Sequence, residues 1–216
     1  MIEFDQEFGS DGFLEVEEVL TQTELAELSP RIDDAAPNSA GDRRMLDHEW
    51  CRELARQLLE TSVERGLVKG DFVGVLCTFF DKSARSNWGV APHRDLAVPT
   101  RVQVDIAGWK NWSIKQDIPH AHAPRSLLEQ MFSFRLNIDR SPAENGALMV
   151  APGSHRADSD MKPDRTIEGE SGDGVLLSPL TVHASRKSNS GASRRVLHFL
   201  YGPREVQSPA EWFYAV

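Results

Sequence analysis

The chain has 216 residues, of which 40% are hydrophobic and 26% charged, a balance that is typical of one globular domain and excludes a disordered chain. Its formal charge of −9 makes nucleic acid and anionic membrane surfaces poor partners, because proteins that grip phosphate backbones carry the opposite balance. No apolar stretch approaches the roughly 18 residues that a membrane span needs, the N-terminus is acidic, unlike an export signal, and the two cysteines are too few for a disulfide framework.

We therefore expect a cytoplasmic protein whose single domain covers residues 1–216, with the two cysteines buried as free thiols. The first part, about residues 1–70, is predicted to be helical. Thr21–Leu28 begins with a threonine and has Glu24 three positions later, which is a capping-box pattern. A longer helix is predicted over His48–Arg65, where apolar residues fall on one face, with Gly66 closing its C-terminal end.

The β core is predicted from residue 71 to about residue 205. Short β-branched and aromatic segments are separated there by turn-forming residues. The strand candidates lie at 71–80, 100–107, 132–139, 147–151, 174–178 and 195–201, and residues 156–173 are predicted to form an exposed loop. Many short strands after a helical segment indicate a mainly β fold with flanking helices, whose core is a jelly-roll, cupin-like sandwich or barrel.

The candidate chemistry begins with His93 and Asp95. On an extended strand, residues two apart point to the same side, so this imidazole and this carboxylate could bind one metal ion. His183 follows the apolar segment GVLLSPLTV and is therefore presented from the end of a strand. Two histidines and one carboxylate form the facial triad of non-haem Fe(II) oxygenases, which leaves positions open for a co-substrate and dioxygen.

A cation completes the pattern. Arg194 and Arg195 lie at the start of the strand RVLHFLY, which returns toward the metal after a turn. The planar guanidinium of an arginine can form two parallel hydrogen bonds with a carboxylate, which suits the distal carboxylate of 2-oxoglutarate. Since adjacent strand residues point in opposite directions, only one of the two arginines can have this role.

Other residues offer weaker candidates. His120 and His122 also have the spacing of a ligand pair, but PHAHAP is predicted to be an exposed loop, so contact with substrate is the more plausible role. Residues 108–124 are long and irregular and are predicted to form a lid, in which Trp112 is a further candidate for contact with substrate. Arg135 and Asn137 alternate along one strand, and they would contact substrate if their common face points into the barrel.

Several motifs in order resemble the phytanoyl-CoA dioxygenase family of Fe(II)- and 2-oxoglutarate-dependent oxygenases. They are NWGVAPHRD, FRLNID, SPAENGALMVAPGSHR and LTVHASRKSNSGASRR, preceded by the opening DGFLEVEEVLTQTELAEL. The resemblance extends over most of the chain. It implies a double-stranded β-helix and an oxidative decarboxylation of 2-oxoglutarate with Fe(II) and O2.

By position, the resemblance makes His93, Asp95 and His183 the iron ligands and favours Arg194 over Arg195 for 2-oxoglutarate. It also places Ser185 and Thr78 beside the co-substrate. Related halogenases replace the carboxylate ligand with a small residue, so the presence of Asp95 favours hydroxylation, or another C–H oxidation, over halogenation.

The chain is short for this family and has no basic cluster for a CoA phosphate, so we expect a small-molecule metabolite as substrate and a monomer or homodimer. Two other classes of protein stay open. One is a cupin-like metalloenzyme that does not use 2-oxoglutarate, and the other is a binding module whose barrel has no catalytic role.

Overall fold

The computed structural model describes residues 2–36, 40–103, 106–157, 161–206 and 210–216. In these residues the α-helices are α1 Gln6–Asp11, α2 Gln22–Ala35, α3 Glu49–Glu64 and α4 Arg125–Leu128. The strands are β1 Glu3–Phe4, β2 Phe13–Val16, β3 Gly41–Asp42, β4 Val68–Lys69, β5 Phe72–Lys82, β6 Val90–His93, β7 Ala97–Pro99, β8 Lys110–Lys115, β9 Ile118–His122, β10 Phe132–Asn137, β11 Leu148–Val150, β12 Arg165–Ile167, β13 Gly174–Leu177, β14 His183–Ser185 and β15 Arg194–Pro203.

Both predicted helices are present. The capping box at α2 is complete: the Thr21 side chain accepts the Glu24 backbone N–H, and the Glu24 carboxylate accepts the Thr21 N–H at 2.8 Å. Helix α3 ends at the cap residue Arg65, and Gly66 follows in the left-handed conformation. Helix α2 runs beyond the predicted end at Leu28 to Ala35, and Pro30 lies inside it although proline cannot donate a backbone hydrogen bond to the helix.

The N-terminal part, predicted to be helical over about residues 1–70, also contains four short strands. Strand β2 pairs with β13 at one edge of the large sheet, and β3 pairs with β5 at the other edge. Strands β1 and β4 form a separate two-stranded ribbon. The N-terminal part therefore extends the β core as well as covering it.

Two antiparallel sheets form the core. The larger has the order β2-β13-β10-β15-β5-β3, and the smaller has the order β12-β11-β14-β6. Strands β5, β6 and β10 to β15 pass between these sheets in chain order, which is the winding of a double-stranded β-helix. The predicted jelly-roll core with flanking helices is confirmed.

The region between β6 and β10 differs from the prediction. The expected strand over 100–107 is absent from the described residues, where only Thr100 makes an isolated bridge to Trp212. The expected irregular lid is instead a three-stranded sheet with the order β7-β9-β8. The HAH segment therefore belongs to strand β9, and His120 is buried.

The predicted loop over 156–173 is also wrong in part, since it contains the short strand β12 paired with β11. The pairing satisfies backbone groups that a polar sequence would otherwise leave to water.

The main hydrophobic core lies between the large sheet and helices α2 and α3. Its members include Ile32, Leu58, Phe134 and Tyr201, all fully buried, and burial of such apolar surface is the dominant favourable term in folding. The Tyr201 hydroxyl donates to the Ala55 carbonyl at 2.8 Å, which ties α3 to strand β15. Cys51 and Cys77 are free and buried, as predicted. Among the described helices, none has the length and apolar character needed to cross a membrane.

Candidate metal centre

The pairing of β6 with β14 brings two distant histidines together. His93 is the last residue of β6 and His183 is the first of β14, and the two are register partners. Asp95 lies two residues beyond the end of β6, and its backbone N–H donates to the Pro179 carbonyl at 2.8 Å. The carboxylate is therefore placed by a loop contact rather than by the strand itself.

The three side chains converge on one point. Their ligand atoms all lie within 4.8 Å of one another. Nε2 of His93 is 3.5 Å from one Asp95 oxygen, and Nε2 of His183 is 3.6 Å from the other. This spacing suits a small cation that all three could bind.

Each histidine is held in the tautomer that a metal ligand needs. Nδ1 of His93 donates to the Ala91 carbonyl at 2.9 Å, and Nδ1 of His183 donates to the Thr181 carbonyl at 3.0 Å. Because a carbonyl can only accept, both protons lie on Nδ1, and the lone pairs of Nε2 point toward Asp95.

The charges within the cluster favour a cation. Burial opposes ionisation of Asp95, but His183, His198 and His93 together hold its pKa well below the usual value. Burial lowers the pKa of His183 and so favours its neutral form, while Asp95 acts in the opposite direction. An ionised carboxylate beside a neutral imidazole is the protonation state in which these groups bind a metal.

The cluster lies in the wall of a cavity of about 480 Å³. The inner face of the large sheet forms the opposite wall with alternate residues of each strand, as the two-residue period requires. On this face, Thr78 of β5, His198 of β15 and Arg135 of β10 are register partners across the sheet. Part of the wall is apolar and is formed by Leu76, Leu148, Leu177 and Leu200.

The structure separates the two arginines that the sequence left open. Arg194 points into the cavity and is 3% exposed, and its Nε and Nη1 atoms are buried without a hydrogen-bond partner in the described chain. Arg195 points away and forms ion pairs of 2.8 Å with Asp139 and Asp33. Of these two arginines, Arg194 is therefore the one that can bind an anion inside the cavity.

The two other predicted co-substrate residues also line the cavity. Thr78 and Ser185 lie on opposite walls, and the Ser185 hydroxyl accepts from Nζ of Lys82 at 2.8 Å. Lys82 is 1% exposed, and burial and the neighbouring Arg194 and Arg135 lower its pKa to about 7. Sequence analysis missed this lysine, although it follows Thr78 by four residues on the same face of β5.

The four predicted substrate residues divide into two pairs. Arg135 and His122 line the cavity, and the Arg135 Nη2 atom is buried without a hydrogen-bond partner in the described chain. Asn137 is buried near Gly169, outside the cavity, and Trp112 stacks on Trp109 with 6.4 Å between ring centroids. The structure therefore does not bring Asn137 or Trp112 to the cavity.

His198 and His120 also line the cavity. Nε2 of His198 is 3.4 Å from Asp95, so this ring helps to orient the carboxylate. His120 donates from Nδ1 to the Ile118 carbonyl and leaves its buried Nε2 unpartnered among the described residues. The two-residue period of β15 was the signal that could have placed His198 beside Arg194.

A family model, Phytanoyl-CoA dioxygenase (PhyH), matches residues 8–196 of the chain. No curated protein sequence gives a match of comparable significance.

Solved structures share the fold at low sequence identity. The epimerase SnoN of nogalamycin biosynthesis, described as a non-heme alpha ketoglutarate dependent enzyme, is 16% identical with a TM-score of 0.68, over 92% of this chain and 81% of its own. HygX from Streptomyces hygroscopicus, solved with nickel, 2-oxoglutarate and hygromycin B, is 15% identical with a TM-score of 0.64, over 91% and 84%. The carbocyclase SnoK of nogalamycin biosynthesis is 13% identical with a TM-score of 0.64, over 93% and 83%.

Proposed function

Because this chain belongs to the phytanoyl-CoA dioxygenase family, we propose that it is an Fe(II)- and 2-oxoglutarate-dependent dioxygenase acting on a small-molecule metabolite. The reaction we propose is hydroxylation, or a related oxidation, of an unactivated C–H bond. Succinate and CO2 are the products of the co-substrate. A cytoplasmic location and a monomeric or homodimeric state remain predictions.

One observation carries the proposal: a His-Asp-His cluster and a buried, unpaired arginine face the same cavity. His93, Asp95 and His183 supply two nitrogens and one carboxylate, a donor set that suits Fe(II) and leaves further coordination positions open. Arg194 offers buried donors for a carboxylate. A metal site without 2-oxoglutarate would leave this arginine without a role.

The co-substrate residues form a group on one side of the cavity. We propose that Arg194 binds the distal carboxylate of 2-oxoglutarate, with Ser185 and Thr78 as further polar contacts. Lys82 and Arg135 add positive charge there, since each interacts electrostatically with Arg194. Arg135, predicted as a substrate contact, is thus reassigned to the co-substrate side, while His122 stays a proposed substrate contact.

The chain's own contribution to the reaction is binding, orientation and exclusion of water. Iron and 2-oxoglutarate would, when bound, supply the oxidising chemistry with O2. His93, Asp95 and His183 would hold the metal, and Arg194 would fix the direction of the co-substrate. The leucine side chains supply an apolar part of the cavity wall, from which water is more easily excluded.

The type of oxidation of the substrate is proposed separately from the enzyme class. Solved structures with this fold include proteins described as an epimerase and a carbocyclase. We propose a hydroxylation-type outcome because Asp95 occupies the carboxylate position of the triad, which disfavours halogenation. A cavity of about 480 Å³ suits a substrate of metabolite size.

The test is an anaerobic titration of the metal-free protein with Fe(II) and 2-oxoglutarate, followed by the visible metal-to-ligand charge-transfer band. We expect the band in the wild type and its loss in Asp95→Ala. If iron binds but 2-oxoglutarate produces no band, the proposal fails, and a cupin-like metalloenzyme that does not use 2-oxoglutarate becomes the better account.

A further inference from the structure

The cavity carries far more positive charge than the chain as a whole. The chain has a formal charge of −9, yet among the described residues that line the cavity Asp95 is the one acid. The cationic side chains of the lining are Arg43, Lys82, Arg94, Lys115, Arg135 and Arg194. Such an excess in a partly enclosed space attracts anions and repels cations.

Four of these cations are accounted for by contacts or by the co-substrate. The Arg94 guanidinium donates to the Leu180 carbonyl at 2.8 Å and to two further carbonyls at 3.2 Å, so it has a structural role. Lys82, Arg135 and Arg194 form the group assigned above to the distal carboxylate of 2-oxoglutarate. Arg43 and Lys115 remain.

Arg43 and Lys115 reach the cavity from outside the double-stranded β-helix. Arg43 directly follows β3, and Lys115 ends β8 at a two-residue hairpin turn. Both turn residues, Gln116 and Asp117, have positive φ angles of 49° and 64° although neither is glycine. The Gln116 side-chain oxygen accepts the Arg43 backbone N–H at 2.6 Å, which anchors the hairpin beside residue 43.

The anchor holds two like charges together. Burial and the nearby Arg43 lower the pKa of Lys115, while Asp95 acts on it in the opposite direction. In the part of the chain that the structure describes, neither the Arg43 nor the Lys115 side chain has a hydrogen bond or an ion pair. Two half-buried cations that repel each other are stabilised most by an anion that contacts both.

We propose that Arg43 and Lys115 bind an oxyanionic group, a carboxylate or a phosphate, of the primary substrate. The enzyme therefore acts on an anionic metabolite. This inference rests on the proposed function, because 2-oxoglutarate occupies the other cationic group and leaves this pair for the substrate. Arg43 and Lys115 line the same cavity as His93, Asp95 and His183, so the pair and the metal centre face one common space.

The experiment uses three probes of similar shape on the anaerobic Fe(II)·2-oxoglutarate complex: phenylacetate, phenyl phosphate and phenylacetamide. Calorimetry at constant ionic strength measures binding of each probe. We expect at least one anion to bind about tenfold more tightly than the neutral amide, or about 1.4 kcal/mol. The anion that binds better distinguishes a carboxylate site from a phosphate site.

The double variant Arg43→Gln/Lys115→Gln should lose this preference while its 2-oxoglutarate titration stays unchanged. Lys110→Gln is the matched control, because Lys110 is an exposed lysine of the same strand outside the cavity lining. The proposal is overturned if the amide binds as tightly as the anions, if the double variant keeps the preference, or if neither anion binds.

The charge-transfer band separates failure of this inference from failure of the proposed function. The band is recorded before any probe is added, so its absence in the wild type counts against the oxygenase itself. Loss of an existing band on addition of an anionic probe would show displacement of 2-oxoglutarate, and would overturn the assignment to Arg43 and Lys115.

Discussion

The neighbouring arginines 194 and 195 allow a test in which each is the control for the other. We consider Arg194→Gln and Arg195→Gln, which remove the same charge from adjacent positions. Arg194 faces the cavity without a partner in the described chain, whereas Arg195 is paired with Asp139 and Asp33 on the outer face. The two variants should therefore lose different properties.

For Arg194→Gln, we expect the dissociation constant of 2-oxoglutarate to rise about 100-fold. Removing one partner of a buried, hydrogen-bonded charge pair costs roughly 2–5 kcal/mol, and each 1.4 kcal/mol is about tenfold in affinity. The free energy of unfolding of this variant should not fall. Burial lowers the pKa of Arg194 from its ordinary value to about 10, which corresponds to about 3 kcal/mol against the charged form.

For Arg195→Gln, we expect unchanged 2-oxoglutarate binding and a free energy of unfolding reduced by about 1–3 kcal/mol. The carboxylates of Asp139 and Asp33 raise the pKa of Arg195, so its charge stabilises the fold at neutral pH. Anaerobic titration of the charge-transfer band measures the affinity, and urea unfolding measures the stability. Equal loss of affinity in both variants, or loss in Arg195→Gln alone, would refute the assignment.

Three further predictions concern other residues. Since only protonated Lys82 attracts the distal carboxylate and its pKa is about 7, affinity for 2-oxoglutarate should fall about tenfold between about pH 6.5 and 8.5. Lys82→Met should remove this dependence, and a titration in which it persists would contradict the role. A Cβ at Gly174 would lie 2.3 Å from a buried phenylalanine ring, so Gly174→Ala should reduce the free energy of unfolding by about 2–3 kcal/mol. A Cβ added at Gly9 would meet no atom within 4 Å, so Gly9→Ala should change the free energy of unfolding little. If urea unfolding shows the same loss in both variants, the clash at Gly174 does not destabilise the fold. Cys51 and Cys77 are fully buried, so a thiol reagent should react only after denaturation, and rapid reaction of the native protein would disprove their burial.

Much of the fold followed from signals that are local in the chain. The capping box of Thr21 and Glu24 uses residues three positions apart. The strands of the jelly roll are short β-branched and aromatic segments, and turn-forming residues separate them. The metal cluster was predictable for a related reason. His93 and Asp95 are close in sequence, and His183 follows an apolar strand, so chain order and strand ends were sufficient to group them.

The hairpin of β8 and β9 was missed because its turn lacks the usual signal. Gln116 and Asp117 adopt positive φ angles that sequence patterns associate with glycine and asparagine. Contacts with residues 43 and 44 hold the turn instead. The segment therefore resembled an irregular lid in the sequence.

Alternation along a strand showed that Arg194 and Arg195 must point in opposite directions, but the inward direction depends on how the strand packs. Packing of β15 between β10 and β5 places Arg194 beside Lys82 and turns Arg195 toward α2. In the same way, Arg135 and Asn137 share a face, yet of the two only Arg135 lines the cavity, whereas Asn137 lies against Gly169. Local patterns determine which residues form strands and which could bind a metal. Which side chains point into the cavity, and what charge the cavity carries, depend on contacts between segments far apart in the chain.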